Sequence, residues 1–162
     1  MQEINPELVE RYQIMLQKDP RSQVFAPLSE AYRKMGLHEE AFQLCVKGVQ
    51  YHPHFAGGRI ALARVLIDRN ELGDAAKELE RATECSPENI LAHSLLGELR
   101  LRLKQPKEAL KSFKMVLFLS PDNEKAKTAV QKLEALTADE YEDEVFAMKP
   151  LGDLDEPLRI EP

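Results

Sequence analysis

The sequence predicts an all-α fold in which one helical unit is repeated three times. Residues of the same size class recur at a step of 34 positions along the 162-residue chain. Columns of this kind arise when each copy of a unit buries its apolar face against the next copy. The columns hold alanine (Ala41, Ala75, Ala109), leucine (Leu28, Leu62, Leu96), a small residue (Ser29, Ala63, Gly97) and proline (Pro53, Pro87, Pro121).

Each of the three predicted units, which together cover residues 22–123, contains two helices. In the first unit, apolar and small residues at helical spacing precede Gly36, which supplies the left-handed conformation that commonly ends a helix. A second helix then places Ala41 and Cys45 on one face and ends before Pro53. The next two units repeat this order, so the pattern predicts six helices in three pairs.

The two flanks of the repeats have the features of the ends of an array. Residues 1–21 are expected to form a half repeat with a single helix, which begins where Asn5 can cap it and Pro6 can occupy its first turn. Residues 124–137 carry one apolar stripe among Lys and Glu, which predicts a capping helix. Residues 138–162 form an acidic C-terminal tail.

Two places break the local rules for helices. Pro27 falls early in the first helix of the first unit, where it either marks a late start or bends the first turn. Gly57 and Gly58 open the first helix of the second unit, although glycine disfavours helix by about 1 kcal/mol relative to alanine. These glycines indicate either a loose helix start or a close approach of another group to the backbone.

The motif Leu28-Ser29-x-x-Tyr32, followed by Ala41 and Pro53 and repeated every 34 residues, resembles the tetratricopeptide repeat. The resemblance implies a right-handed superhelical array of antiparallel helix pairs, a tetratricopeptide-like solenoid. It also implies that the first helix of each pair lines an inner, concave face. Such a face binds proteins rather than small substrates.

One column departs from the family pattern. Phe25, Arg59 and His93 stand where the family favours tryptophan. His93 falls on the packing stripe of its helix, so we expect a partly buried core residue rather than a metal ligand.

The resemblance assigns the candidate binding residues to the exposed side of the first helices. Large apolar side chains occur there next to basic ones, which favours a partner peptide or helix with acids beside apolar anchors. Packing of the same apolar residues against neighbouring helices is the alternative. The predicted groove consists of Arg33, Lys34, Ile60, Arg64, Ile67, Leu91, Glu98, Leu101 and Arg102.

Some members of the family bind the C-terminal carboxylate of a partner through Lys and Asn on this inner face. At the corresponding positions of the first unit, this chain has Ala26 and Glu30. The substitution argues against recognition of a terminal carboxylate in that manner.

The composition excludes several classes of function. The body of the chain is nearly neutral, because residues 137–162 hold nine acids against two bases and account for the net charge of -6. A near-neutral body argues against nucleic-acid binding, which depends on neutralising phosphates. No phosphate-binding or catalytic motif occurs, and no His, Cys, Asp or Glu cluster has metal-ligand spacing, so neither enzyme activity, a cofactor nor a metal is expected.

The remaining sequence features concern location. No apolar run approaches the roughly 20 residues that cross a bilayer, and the N-terminal residues lack the pattern of a secretory signal. Cys45 and Cys85 form no CxxC motif and fit reduced thiols. Together these features predict a cytoplasmic protein without membrane contacts.

The acidic tail carries apolar residues of its own, and Phe146, Met148 and Leu151 are its candidate anchors. Their chemistry complements the predicted groove, so the tail is a candidate ligand of its own chain or of a neighbouring copy.

These observations favour a non-enzymatic adaptor or scaffold that binds a peptide or helix of a partner protein in the concave groove. The alternative is a small cytosolic chaperone that shields a secreted or assembly-prone client. A hydrolase with an unrecognised site is a third interpretation, which no motif supports.

Overall fold

The computed structural model describes residues 4–147 of the chain, with side chains up to Ala138, and these residues contain helices and no strand. The helices are α1 (Pro6–Lys18), α2 (Phe25–Lys34), α3 (His38–Tyr51), α4 (Ala56–Asp68), α5 (Leu72–Cys85), α6 (Ile90–Arg102), α7 (Pro106–Leu119) and α8 (Glu124–Ala147).

Asparagine side chains and prolines define several helix starts. Asn5, Asn89 and Asn123 each accept a hydrogen bond from a backbone N–H in the first turn of α1, α6 and α8, respectively. Pro6 opens α1, as expected. Pro27 lies in the first turn of α2, where no N–H has an intrahelical partner, so it removes no hydrogen bond.

The first helix of every unit ends in the same left-handed turn. Gly36 has φ of 80°, and the residues 34 and 68 positions later, Asn70 and Lys104, have φ of 61° and 58°. In each unit, the backbone N–H of the next residue donates a hydrogen bond back to the helix. In the first unit this bond joins Leu37 N to Tyr32 O at 2.9 Å. The stop predicted at Gly36 is confirmed, and the structure extends it to two residues that are not glycine.

The helices pack in sequence as antiparallel neighbours. α2 packs on α3, α4 on α5 and α6 on α7, while α3 on α4 and α5 on α6 join one pair to the next. Ala41, Ala75 and Ala109 are completely buried at these contacts. One hydrophobic cluster runs from α2 to α6, and a second joins α7 to α8.

Within each pair, facing residues have complementary sizes. As the residue on the second helix grows from Cys to Leu to Phe, its counterpart on the first helix shrinks from Ser to Ala to Gly. The three pairs are Ser29 with Cys45, Ala63 with Leu79, and Gly97 with Phe113. Ser29 Oγ lies 2.7 Å from Cys45 Sγ, and a Cβ added to Gly97 would lie 2.9 Å from the Phe113 ring.

Aromatic rings explain the glycines at the start of α4. A Cβ on Gly58 would lie 2.5 Å from Phe25, and one on Gly57 would lie 2.8 Å from Phe55. A Cβ added to Gly48 on α3 would likewise lie 2.3 Å from the Phe25 ring. Close approach is therefore the correct interpretation of these glycines, and the approaching group is the protein's own core.

Polar residues in the column of Phe25 bind the backbone between units. Arg59 donates two hydrogen bonds, of 3.1 and 2.9 Å, to the carbonyl oxygen of Pro53. His93 Nε2 donates a 2.8 Å bond to the carbonyl oxygen of Pro87, the equivalent residue one unit later. His93 is buried, in agreement with its expected place in the core.

The last helix continues past the end predicted for it. α8 runs from Glu124 to Ala147 and so enters the range assigned to the tail. Of the tail anchors, Met148 and Leu151 lie outside the described residues, and so does the side chain of Phe146. No helix within residues 4–147 combines the length and apolar character needed to cross a membrane.

Candidate functional site

The first helices of the three units enclose a cavity of about 440 Å³, which we call the inner cavity. Charged side chains from all three helices meet apolar ones from α4 and α6 in its walls. It is lined by Glu30, Arg33, Lys34, Arg64, Ile67, Asp68, Leu95, Glu98, Leu99 and Arg102. The lining residues lie in three successive units because residues 34 positions apart share one face of the array.

The inner cavity brings together most of the residues predicted for the groove. They are Arg33, Lys34, Arg64, Ile67, Glu98 and Arg102. The other three lie elsewhere. Ile60 is only 6% exposed and packs in the core, so its expected place on the binding surface is wrong: its side chain points toward the neighbouring helices.

Leu91 and Leu101 are exposed, at 44% and 42%, but neither lines the inner cavity. Leu91 lies in the first turn of α6. Leu101 faces α8 and lines a separate depression with Ala129 and Leu133, which we call the α6–α8 groove.

An ion-pair network holds two of the cavity's arginines in place. Arg33 pairs with Glu30 at 2.6 Å on its own helix and with Asp68 on α4 at 3.1 Å. Arg64 on α4 also pairs with Glu30, at 2.8 Å. Glu30 and Asp68 therefore fix the guanidinium groups and join the first unit to the second.

Glu30 is ionised in this setting. Its partial burial acts to raise the pKa of the carboxyl group, but the hydrogen bond from Arg33 and the charge of Arg64 outweigh that effect and hold the pKa below its usual value. The hydrogen bond to Glu30 in turn raises the pKa of Arg33. The α2 side of the cavity thus presents a carboxylate whose charge is already neutralised.

The α6 side of the cavity differs in its electrostatics. Arg102 is exposed and makes no ion pair or hydrogen bond with the residues whose side chains the structure describes. Glu98 pairs with Lys125 of α8, so it does not neutralise Arg102. Ile67 and Leu95 line the same cavity with partly exposed apolar side chains, whereas Leu99 is only 1% exposed. A cation available to a ligand therefore stands beside an apolar surface.

Sequence reasoning missed Leu95 and Leu99 and the structural role of Glu30 and Asp68. A signal for the ion pairs is present in the repeat columns, where charge alternates along Glu30–Arg64–Glu98 and along Lys34–Asp68–Arg102. Opposite charges 34 residues apart face each other in neighbouring first helices, as the bond from Arg64 to Glu30 demonstrates.

The described residues include one buried thiol, Cys45, and no cluster of metal-binding side chains. Burial raises the pKa of Cys45 to about 12, although a hydrogen bond with Ser29 opposes the rise, so the thiol stays protonated and unreactive at neutral pH. No group of three or more His, Cys, Asp or Glu side chains in the described part of the chain could hold a metal ion.

Comparison with known proteins agrees with this geometry. A family model described as tetratricopeptide repeat matches residues 32–99. The crystal structure of MamA is 18% identical, with a TM-score of 0.70, and the match covers 80% of this chain and 77% of that one.

Two further structures are similar in fold. YrrB, described as a tetratricopeptide repeat protein with an unusual peptide-binding site, is 17% identical, with a TM-score of 0.73 and coverage of 80% and 67%. The first tetratricopeptide repeat domain of Spaghetti, bound to an HSP90 peptide, is 24% identical, with a TM-score of 0.67 and coverage of 74% and 94%. Residues 32–99 therefore match the tetratricopeptide repeat model, and the described residues have the all-α fold of a tetratricopeptide solenoid.

Proposed function

We propose that this chain is a non-enzymatic, cytoplasmic adaptor or scaffold that binds a peptide or helix of a partner protein in the inner cavity. The observation that carries the proposal is Arg102, which lacks a described partner and lines the cavity together with the partly exposed Ile67 and Leu95. A charged group next to an apolar surface suits an acidic side chain that is followed or preceded by an apolar anchor.

The network on the α2 side sets the orientation of the ligand. Arg33 and Arg64 are already paired with Glu30 and Asp68, so they gain little from a new carboxylate. The acidic group of the ligand is therefore expected at the α6 end, with the apolar anchor toward Ile67.

Proteins of similar fold support a role in peptide binding. The Spaghetti domain is bound to an HSP90 peptide, and YrrB is described as having a peptide-binding site. The chemistry on the α2 side differs from a carboxylate clamp, because Ala26 is buried and Glu30 occupies the cavity wall. We therefore propose an internal segment of a partner as the ligand rather than a free C-terminus.

The test starts with a pull-down from the native source, after which affinity for the captured partner is measured by calorimetry. Arg102→Glu should weaken binding by about tenfold or more, because charge reversal places like charges together. The matched control is Arg81→Glu on the outer helix α5, where the side chain is 57% exposed. Equal affinity of the Arg102→Glu variant and the control would place the binding site elsewhere.

The same pull-down separates an adaptor from a chaperone. An adaptor links two proteins that are each soluble alone, whereas a chaperone keeps one client in solution that precipitates without it. Solubility of the captured protein after it is separated from this chain decides between them.

A further inference from the structure

The α6–α8 groove has the features of a second binding surface, distinct from the inner cavity. It has a volume of about 580 Å³, and its floor is formed by Leu101, Ala129 and Leu133. The aliphatic stems and amino groups of Lys125 and Lys132 line it as well. Leu101 remains 42% exposed and Ala129 is partly exposed, whereas Leu133 is only 5% exposed and packs in the cluster between α7 and α8. The uncovered part of the floor is therefore formed by Leu101 and Ala129.

The α8 side of the groove carries two lysines, Lys125 and Lys132, and one acid, Glu124, which pairs with Lys127. Lys132 makes no ion pair among the side chains that the structure describes, and Lys125 pairs only with Glu98 there. An acidic segment with leucine-type anchors would bury the floor and neutralise Lys132.

We propose that residues 148–162 of the same chain fold back along α8 and occupy this groove. The segment carries four acids and two bases, and its leucines alternate with the acids. Pro150, three residues after the end of α8 at Ala147, cannot continue the helix and favours a turn. The chain can therefore reverse its direction as it leaves the helix.

The length of the segment decides which residues reach the groove. A helix rises about 1.5 Å per residue, so Leu133 lies about 21 Å back from Ala147 and Lys125 about 33 Å back. An extended chain advances about 3.3 Å per residue, so the earliest residues that can draw level with Leu133 and Lys125 are about 154 and 157. Leu154 and Leu158 are the anchors that this geometry selects.

The same calculation excludes the anchors nearer to α8. Leu151 lies at most about 13 Å along the chain from Ala147, short of the level of Leu133. Between the anchors, Asp155 and Glu156 come within the stretch that passes Lys132 and Lys125. Acids and leucines thus fall at the levels where the groove offers lysines and an apolar floor.

Attachment to α8 favours this segment over a separate partner or a second copy. A tethered segment acts at an effective concentration that is on the order of millimolar for a short linker, so modest contacts suffice to keep it bound. The inference does not depend on the proposed function, because the inner cavity and the α6–α8 groove share no lining residue.

Paramagnetic relaxation in the 162-residue chain tests the proposal. In a Cys85→Ser background, a nitroxide is attached to Pro157→Cys, between the two anchors, while Cys45 stays unlabelled because it is buried. Methyl signals of Leu101 and Leu133 should be broadened, and those of Leu28 in the first unit should keep their intensity. Replacing both Leu154 and Leu158 with Asp should abolish the broadening, and Lys132→Glu should reduce it, whereas the control Lys47→Glu on α3 should not.

Three results would overturn the proposal. The first is full signal intensity at Leu101 and Leu133 in the labelled protein. The second is broadening that survives in the variant with Leu154→Asp and Leu158→Asp. The third is equal broadening when an isotope-labelled chain without nitroxide is mixed with a nitroxide-labelled chain, because that result would mean that the segment binds a second copy.

Discussion

Reciprocal side-chain sizes at single positions determine how closely the helices of each pair approach. Phe113 fits against α6 because Gly97 has no Cβ, and Cys45 fits against α2 because Ser29 is small. Protein interiors are close-packed, so a change of one methyl group at such a contact is felt. The column of Ser29, Ala63 and Gly97 is therefore not interchangeable between units.

At the residue scale, we predict that Gly97→Ala destabilises the protein by about 1–3 kcal/mol, because the added methyl group would overlap the Phe113 ring. Urea unfolding monitored by circular dichroism measures the loss. Gly73→Ala on α5 is the matched control, because no atom lies within 4 Å of the added Cβ. The control should gain up to about 1 kcal/mol from helix propensity.

A double variant tests whether overlap with the Phe113 ring causes the destabilisation by Gly97→Ala. Adding Phe113→Leu to Gly97→Ala should cost less than the sum of the two single changes, since the smaller side chain removes the overlap. If the losses in the free energy of unfolding simply add, the Phe113 ring is not the reason that position 97 needs glycine.

The first helix of each unit ends at a residue with positive φ, and this residue is different in each of the three units. Gly36, Asn70 and Lys104 all adopt positive φ at the equivalent position. Glycine takes this conformation without strain and asparagine tolerates it, but lysine does so at a cost of about 1–2 kcal/mol. The third unit therefore stores backbone strain that the first does not.

At the element scale, Lys104→Gly is expected to stabilise the protein by up to about 1 kcal/mol, because relief of strain exceeds the added chain entropy. Thermal unfolding by calorimetry measures the change. Lys104→Ala removes the same charge but keeps the strain, so its melting temperature should not rise. A rise of equal size in both variants would attribute the effect to charge.

The opposite substitution, from glycine to a residue with a side chain, can be tested at the equivalent position of the first unit. Nothing lies within 4 Å of a Cβ added to Gly36, so Gly36→Ala should lower the stability through the backbone alone.

The whole molecule is a linear array in which stability depends on neighbours. α4 contacts α2, α3 and α5, whereas α8 packs on α7 at the end of the described array. The core is divided in the same way, with one cluster over α2 to α6 and a second between α7 and α8. In such arrays an end unit can open while the centre stays folded.

At the whole-molecule scale, we predict that backbone amides in α8 exchange with deuterium faster than those in α4 and α5. Native-state hydrogen exchange followed by mass spectrometry measures this difference. Val130→Ala in the second cluster should accelerate exchange in α8 and leave α4 unchanged, whereas Leu79→Ala in the first cluster should accelerate exchange throughout. Equal acceleration of α4 and α8 by Val130→Ala would show that the array unfolds as one unit.

The sequence by itself determined the fold class and the six helices of the repeats. A period of 34 residues is a property of the chain that survives any exchange of individual side chains within a size class. The stop at Gly36, the cap at Asn5 and the burial of His93 followed from local rules of the same kind, because each depends on neighbours in the sequence or on one helical stripe.

Only the tertiary structure decided which exposed positions form a site. Ile60 and Ile67 lie on the same helix, yet the first packs in the core and the second lines the inner cavity. Arg33 and Arg102 carry the same charge, yet only Arg33 is held by a described carboxylate. These differences depend on the direction of each side chain relative to the next unit, and that direction is set by the packing of helices rather than by spacing along the chain.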